Sequence, residues 1–274
     1  MSTRTQIREL RDQVARLQTA TVADRSIYAD DAAGLMAAGG QPPDDWQGGV
    51  LENTDDDLLM LITRQGGKST TAAAKALHVA LYEPGSLVLL SGPSLRQAQE
   101  LFYKTVFLHR VTGEIVATEN MSALRLELAN RSRIIALPGT ESTVRGYSGP
   151  RLVILDEAAW VPDQLFYALT PMLAVSGGQL IAMTTPGGKR GWFYREWAEG
   201  KDDYVRVKVT AAECPRISDD FLKRERRRMP APVYESEYFC SFTDAVDSVF
   251  RFADIEAMFT DEIEPLFPSI EEAA

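Results

Sequence analysis

The segment Ile62-Thr63-Arg64-Gln65-Gly66-Gly67-Lys68-Ser69-Thr70 joins an apolar run to a helix-like stretch, and its residue types suit phosphate binding. Gly66 and Gly67 let successive backbone N–H groups turn inward. A helix beginning at Ser69 aims the positive end of its dipole at the same point. Lys68 would reach the β- and γ-phosphates of a nucleoside triphosphate, Ser69 would offer its hydroxyl to Mg²⁺, and Gln65 to Thr70 line the cradle. A bare Gly-Lys-Ser is otherwise only a turn before an N-capped helix. The strand before it and the helix after it are the context the motif requires. Ile62 stands where the common pattern has its first glycine, the position least committed to the chemistry.

A second element complements the first. The run Leu152-Val153-Ile154-Leu155 ends in Asp156-Glu157. A buried strand delivers such a pair to its C-terminal edge, where open α/β sheets bind their ligands. Asp156 is expected to hold Mg²⁺, directly or through water. Glu157, pointing differently, is expected to polarise the water that attacks the γ-phosphate. A carboxylate base beside a metal ligand favours hydrolysis over phosphoryl transfer to a bound metabolite.

The remaining elements follow from periodicity. Ile7, Leu10, Val14 and Leu17 mark a short amphipathic helix, and Gly39-Gly40-Gln41-Pro42-Pro43 and Gly48-Gly49 read as loop. Leu58–Ile62, Leu87–Leu90, Leu152–Leu155 and Leu180–Thr184 are unbroken apolar strands. Helices are expected over Ser69–Tyr82, Leu95–Leu108 and Gln164–Ala174. Leu124–Leu128 and Arg133–Leu137 form a hairpin, and Tyr204–Val209 alternates as a further strand. Continuous apolar strands alternating with helices indicate a mostly parallel sheet covered on both faces. The expected class is α/β: a P-loop NTPase with a mostly parallel central sheet flanked by helices, plus a small helical lid or N-terminal subdomain. The expected division is a helical arm over 1–45, the ATPase domain over 46–250, and an acidic tail or linker over 251–274.

Composition bounds the chemistry. Two cysteines and two histidines in 274 residues exclude zinc-finger chemistry and a disulfide framework. No apolar run approaches the ~18–20 residues of a membrane span, so a soluble intracellular protein without a membrane partner is expected. The net charge of −10 is uneven. Residues 1–60 carry 5 basic and 11 acidic side chains, residues 61–228 carry 23 and 17, and residues 229–274 carry 1 and 11. The acidic ends argue against wrapping nucleic acid with the whole surface, while the basic middle leaves room for a local track.

Further motifs follow the two above in a fixed order. Trp46-Gln47 precedes the loop, and Arg64 lies within it, four residues before Lys68. Ser142-Thr143-Val144-Arg145-Gly146-Tyr147-Ser148 places its arginine eleven residues before Asp156. Thr184-Thr185-Pro186 leads to Lys189-Arg190-Gly191-Trp192-Phe193-Tyr194, and Tyr238-Phe239 runs on through Ser248-Val249-Phe250. In this order the set resembles the ATPase half of the large terminase subunit, the DNA-packaging motor of tailed bacteriophages. The resemblance implies that Gln47 reads adenine and that Arg64 belongs to the catalytic loop. It implies that Arg145 is an arginine finger acting in trans, and that Thr184 and Thr185 couple loss of the γ-phosphate to the following loop. ATP and Mg²⁺ are then the cofactors. The partners are double-stranded DNA, further copies in a homo-oligomeric ring, a small terminase subunit and a portal protein, in the cytoplasm of the bacterial host.

The family's RNase H-like nuclease would need far more chain than the residues after 255, where Glu256, Asp261, Glu262, Glu264, Glu271 and Glu272 read as a solvated tail. DNA cleavage by this chain is not expected. The chain is then either truncated or has its nuclease encoded elsewhere. Other readings are a helicase or remodeller of the same class, a small-molecule phosphotransferase, and an ATP-gated assembly module with little turnover alone. Lys189-Arg190 and Lys223-Arg224-Glu225-Arg226-Arg227-Arg228 are the candidate track for DNA phosphates, although the second also fits a charged helix face. If phosphates carry the binding, affinity for duplex DNA in a salt titration falls steeply as salt rises. Salt-independent affinity would remove the track.

Overall fold

The computed structural model describes residues 27–54, 56–140, 144, 146–200 and 203–243. The expected helix at Ile7–Leu17 and the tail at 251–274 lie outside the described residues. Eight strands form one sheet: β1 (Leu58–Ile62), β2 (Leu87–Gly92), β3 (Thr118–Met121), β4 (Arg125–Leu128), β5 (Arg133–Pro138), β6 (Leu152–Asp156), β7 (Gln179–Thr184) and β8 (Val205–Val209). Their spatial order is β3-β4-β5-β2-β6-β7-β1-β8. The six strands from β5 to β8 pair in parallel, and β3 and β4 add an antiparallel edge.

The parallel strands are apolar without interruption because both of their faces are covered. Leu58, Met60, Ile62, Val88, Leu90, Leu152, Ile154, Ile181 and Met183 point to one core. That core is covered by α1 (Ala32–Ala38), α2 (Asp45–Glu52), α3 (Lys68–Tyr82) and α4 (Leu95–Val111). Leu59, Leu61, Leu87, Leu89, Val153, Leu155, Leu180 and Ala182 point to the other, packed by α5 (Asp163–Ser176) and α6 (Gly191–Ala198). On this second side Trp192 stacks on Phe166, centroids 4.1 Å apart, and its indole N–H donates to Val161 O at 3.1 Å. A third, smaller cluster joins α7 (Asp219–Arg228) to α8 (Ala231–Phe239) around Tyr234 and Tyr238. Among the described residues no helix is long and apolar enough to cross a membrane.

Gly48-Gly49, expected as loop, lies inside α2. Each glycine costs a helix interior about 1 kcal/mol. The burial of Val50 and Leu51, each worth roughly 1.5–3 kcal/mol, outweighs that cost. Both ends of α2 are tied down. The Gln47 amide oxygen accepts the Asp44 N–H at 2.8 Å, and the buried Lys75 ammonium donates to Leu51 O at 3.0 Å. Among the described residues the other expected strands and helices are present, most of them a residue or two longer than expected, while β3, α1, α6 and α8 carried no signal that singled them out.

Parallel register then sets the geometry. Leu61 lies opposite Thr184 across β1 and β7, and Asp156 opposite Met183 across β6 and β7, so three strand ends converge on one edge. A methyl group at Gly49 would meet nothing within 4 Å. Gly49→Ala therefore raises stability by about 0.5–1 kcal/mol in urea unfolding, and an unchanged or lowered midpoint would contradict the energetics of a helix through this glycine pair.

Candidate active site

β1 runs into the phosphate loop and the loop into α3, whose N-cap is Gly67. The loop's two glycines serve different needs. Gly67 adopts φ +101, and a side chain there would also collide with the Gln47 amide at 2.7 Å. Gly66 is needed for space, because a Cβ would lie 2.7 Å from the Ile62 side chain. The tight turn falls partly on Gln65, at φ +62. Arg64 N–H donates to Glu237 O at 3.0 Å and its guanidinium pairs with the Glu237 carboxylate at 3.2 Å, so α8 holds the tip of the loop. Ser69 and Thr70 form the first turn of α3.

Lys68 Nζ lies 2.6 Å from Glu157 Oε1, with both side chains largely shielded. Glu157 sits in the left-handed region at φ +49, which costs a side-chain-bearing residue on the order of 1 kcal/mol. Asp156 is 8% exposed. Burial pushes its pKa up to about 6, against the pull of the Lys68 charge, and the Glu157 charge adds to the rise. Asp156 Oδ1 accepts the Glu157 N–H at 2.9 Å, and Oδ2 lies 3.5 Å from Ser69 Oγ.

Ser69 and Asp156 therefore present two hard oxygen donors side by side. That fits Mg²⁺, which binds one or two protein oxygens together with phosphate and water. Among the described residues no group of three or more His, Cys, Asp or Glu forms a protein cage for a metal.

Thr184 ends β7, the strand between β1 and β6, and is fully buried. Its hydroxyl donates to Thr185 O at 2.6 Å, accepts the Ala159 N–H at 3.4 Å and lies 3.5 Å from Glu157 Oε2. Thr185 and Pro186 line the cavity. Gly187 packs so closely on Ala159 that a Cβ would fall 2.7 Å away. Beyond it, Arg190 lies over the exposed ring of Trp160 at 5.5 Å, and Trp192 and Phe193 are buried. The segment after Thr185 thus touches the turn after Glu157 and is anchored in the core.

The loop from Arg64 to Thr70, with Glu157, Trp160, Thr185 and Pro186, lines a cavity of about 840 Å³. Its wall includes two cations that sequence reasoning did not single out, Lys104 and Arg216. Lys104 comes from α4, and its charge works to lower the pKa of Asp156. Arg216 donates to both carboxylate oxygens of Asp44, at 2.9 and 2.7 Å, and to Gly66 O at 2.9 Å. Neither lies in a recognisable motif. Only tertiary packing brings them to the loop, which they reach from 36 and 148 residues beyond Lys68 in the chain.

Gln47, expected to read adenine, is fully buried beneath Gly67. Its amide oxygen is taken by Asp44 N–H, and its amide nitrogen donates to Thr71 Oγ1 at 2.8 Å. Arg145 lies outside the described residues, between the buried Val144 and Gly146. Three cations of the basic stretch of α7 have local partners: Lys223 pairs with Asp220, Arg226 lies over Tyr234, and Arg228 pairs with Glu225.

Comparison with known proteins gives this arrangement a family. The model of the terminase large subunit, T4-like virus type, N-terminal region, matches residues 59–257 of the 274-residue chain. The chain belongs to that family. Among solved structures, the large terminase ATPase domain of Thermus phage P74-26 superposes with a TM-score of 0.67 at 22% identity, covering 76% of this chain and 96% of that one. The large terminase of a second, thermophilic bacteriophage in complex with ADP gives 0.60 at 12% identity, and its complex with ATP-γ-S gives 0.58 at 14%. Those two matches take in 78% and 73% of this terminase chain, but only 54% and 52% of the other, about half its length. No curated protein matches the sequence. The shared fold is thus that of the terminase ATPase domain, an α/β sheet flanked by helices.

The raised pKa of Asp156 has a sign that can be tested. Below the unfolded value near 3.8 the carboxyl is neutral in both states, and above about 6 the folded protein bears the full cost of ionising it. Asp156→Asn therefore stabilises the fold at pH 7.5 by on the order of 2–3 kcal/mol, with the gain shrinking toward pH 4. Thermal melts across pH check this. A variant less stable than wild type at pH 7.5 would contradict the buried, costly carboxylate.

Proposed function

We propose that this chain is the ATP-hydrolysing motor that translocates double-stranded viral DNA into a procapsid. The observation that supports it most is the meeting of Lys68 and Glu157 at 2.6 Å in a cation-rich cavity, in a chain of the large terminase family. The backbone N–H groups of Gln65 to Thr70 and the N-terminal end of α3 bind the triphosphate. The Lys68 ammonium exchanges Glu157 for the β- and γ-phosphate oxygens. Glu157, released, accepts a proton from the attacking water and orients it in line with the bond to the leaving ADP. Ser69 and Asp156 would hold Mg²⁺, which neutralises phosphate charge when bound. Arg64, at the tip of the loop, adds positive charge beside the γ-phosphate.

In this reading Arg145 from a neighbouring copy completes the charge stabilisation, a device worth ~10³–10⁵ in rate. Thr184 and Thr185 sense the state of the γ-phosphate through Glu157 and pass it to the segment ending at Arg190. A homo-oligomeric ring, a small terminase subunit, a portal protein and the phage genome are the partners, in the cytoplasm of the bacterial host.

The test is the Mg²⁺-dependent ATPase rate per subunit against protein concentration, with and without linear duplex DNA. The expected result is a rate that climbs with concentration or DNA and is lost in Glu157→Gln. A flat rate would remove the trans role of Arg145. Mixing Arg145→Ala with Glu157→Gln subunits restores activity if the finger acts in trans, because each defective chain supplies what the other lacks. A mixture that never recovers counts against it.

A further inference from the structure

The charge of the chain is divided in a way the active site does not use. α7 carries Lys223, Arg224, Arg226, Arg227 and Arg228 within two turns. Phe221, Leu222 and Met229 pack toward the Tyr234–Tyr238 cluster, and no residue of the helix is fully buried. The helical period then puts Lys223, Arg224, Arg227 and Arg228 on the opposite, exposed side. Two of these are held only by ion pairs at the surface, Lys223 with Asp220 at 3.5 Å and Arg228 with Glu225 at 3.3 Å. Such pairs add little stability, so a better-placed anion replaces either partner. Arg224 and Arg227 make no ion pair among the described residues.

The counter-charge follows in the same chain. Residues 251–274 hold seven carboxylates against one basic residue, and interleave them with Phe252, Ile255, Met258, Phe259 and Ile263. The path between the two is short. The Phe221 and Tyr238 rings meet at 5.9 Å and Arg226 lies over Tyr234, so α7 and α8 run side by side in opposite directions. The end of α8 is therefore level with the start of α7, and the arginines lie within about 10 Å of it along the helix axis. Thr243 follows closely, its carbonyl accepting Lys189 N–H at 3.2 Å. From Thr243 to Arg251 an extended chain spans about 26–29 Å, enough to bring the residues that follow over α7.

We propose that residues 251–264 dock on the exposed arginine face of α7, where their carboxylates take the positions that DNA phosphates would occupy. The tether makes the competition effective. A segment on a short linker is present at about millimolar effective concentration, whereas non-specific duplex DNA binds with Kd of ~10⁻⁴–10⁻⁶ M. The same segment from a second copy lacks this advantage. The acidic segment is thus a brake on DNA engagement, released by whatever draws it from α7. The competition rests on the proposed DNA-translocating function, while the docking does not.

Carbodiimide cross-linking of the intact wild-type chain reads the docking directly, because it joins an ammonium to a carboxylate only where the two touch. The expected product links Lys223 to a carboxylate of 254–264 within one chain, and its yield falls severalfold in Arg224→Ala/Arg227→Ala. Absence of that product, an undiminished yield in the double variant, or links only between differently isotope-labelled chains in a mixture overturns the proposal. Linear duplex DNA then reads the competition. The full chain carrying Glu256→Gln, Asp261→Asn, Glu262→Gln and Glu264→Gln binds it about tenfold more tightly at low salt, and the gap to wild type closes as salt screens the docked charges. Neutralising four exposed carboxylates elsewhere, Asp30, Glu52, Glu100 and Glu119, leaves affinity near that of wild type. Equal gains in the two variants would trace the effect to overall charge and overturn the brake. If the cross-link forms but neither wild type nor variant binds duplex DNA, the docking stands and the DNA reading falls.

Discussion

The site depends on one contact that spans the sheet: the ion pair between Lys68, after β1, and Glu157, after β6. These strands are not neighbours, because β7 lies between them. Two inter-strand spacings, about 9–10 Å, separate their ends. The long Lys68 and Glu157 side chains bridge this gap and meet at 2.6 Å. Gly66 and Gly67 let the loop turn where a Cβ would collide, and Glu157 leaves β6 with a left-handed backbone. The strand in the middle is then not a spacer. It delivers Thr184 to the gap, within reach of Glu157 and joined to the segment that leads to Arg190.

This geometry is costly, and the rest of the molecule bears the cost. Asp156 is nearly buried with its pKa raised, Glu157 has a strained backbone, and several cations crowd one cavity. Each feature favours the free chain. They persist because the parallel strands are packed on both faces by two large apolar clusters, which fix the strand ends whatever the loops prefer. The loop itself is held from three directions: Gln47 from α2, Arg216 from the segment after β8, and Glu237 from α8. Binding energy from a nucleotide can then be directed to exchanging partners of Lys68 rather than to ordering the loop.

Much of this was legible in the sequence where the signal is local. Unbroken apolar runs marked β1, β2, β6 and β7, because a strand covered on both faces tolerates no polar alternate residue. The Gly-Gly-Lys-Ser stretch and the Asp-Glu pair marked the two halves of the site, because their chemistry fixes residue type at fixed spacing. What was hidden depends on tertiary packing. Gly48-Gly49 reads as loop by propensity, and burial of Val50 and Leu51 overrides it. Lys104 and Arg216 are ordinary surface cations in sequence, and only the register of α4 and the turn after β8 bring them to the cavity. Gln47 has the expected residue type beside the loop. Its burial, with one bond from Asp44 N–H and one to Thr71 Oγ1, is a tertiary feature that one-dimensional reading cannot foresee.

The proposed mechanism turns on Lys68 leaving Glu157 when phosphate arrives. The most direct measurement is the equilibrium affinity for Mg-ATP of wild type and of Glu157→Gln, taken by isothermal titration. Removing the carboxylate's charge removes the competitor for the ammonium, so the variant binds several-fold more tightly. Weaker binding by the variant, or affinity identical to that of wild type, would contradict the partner exchange on which the mechanism rests.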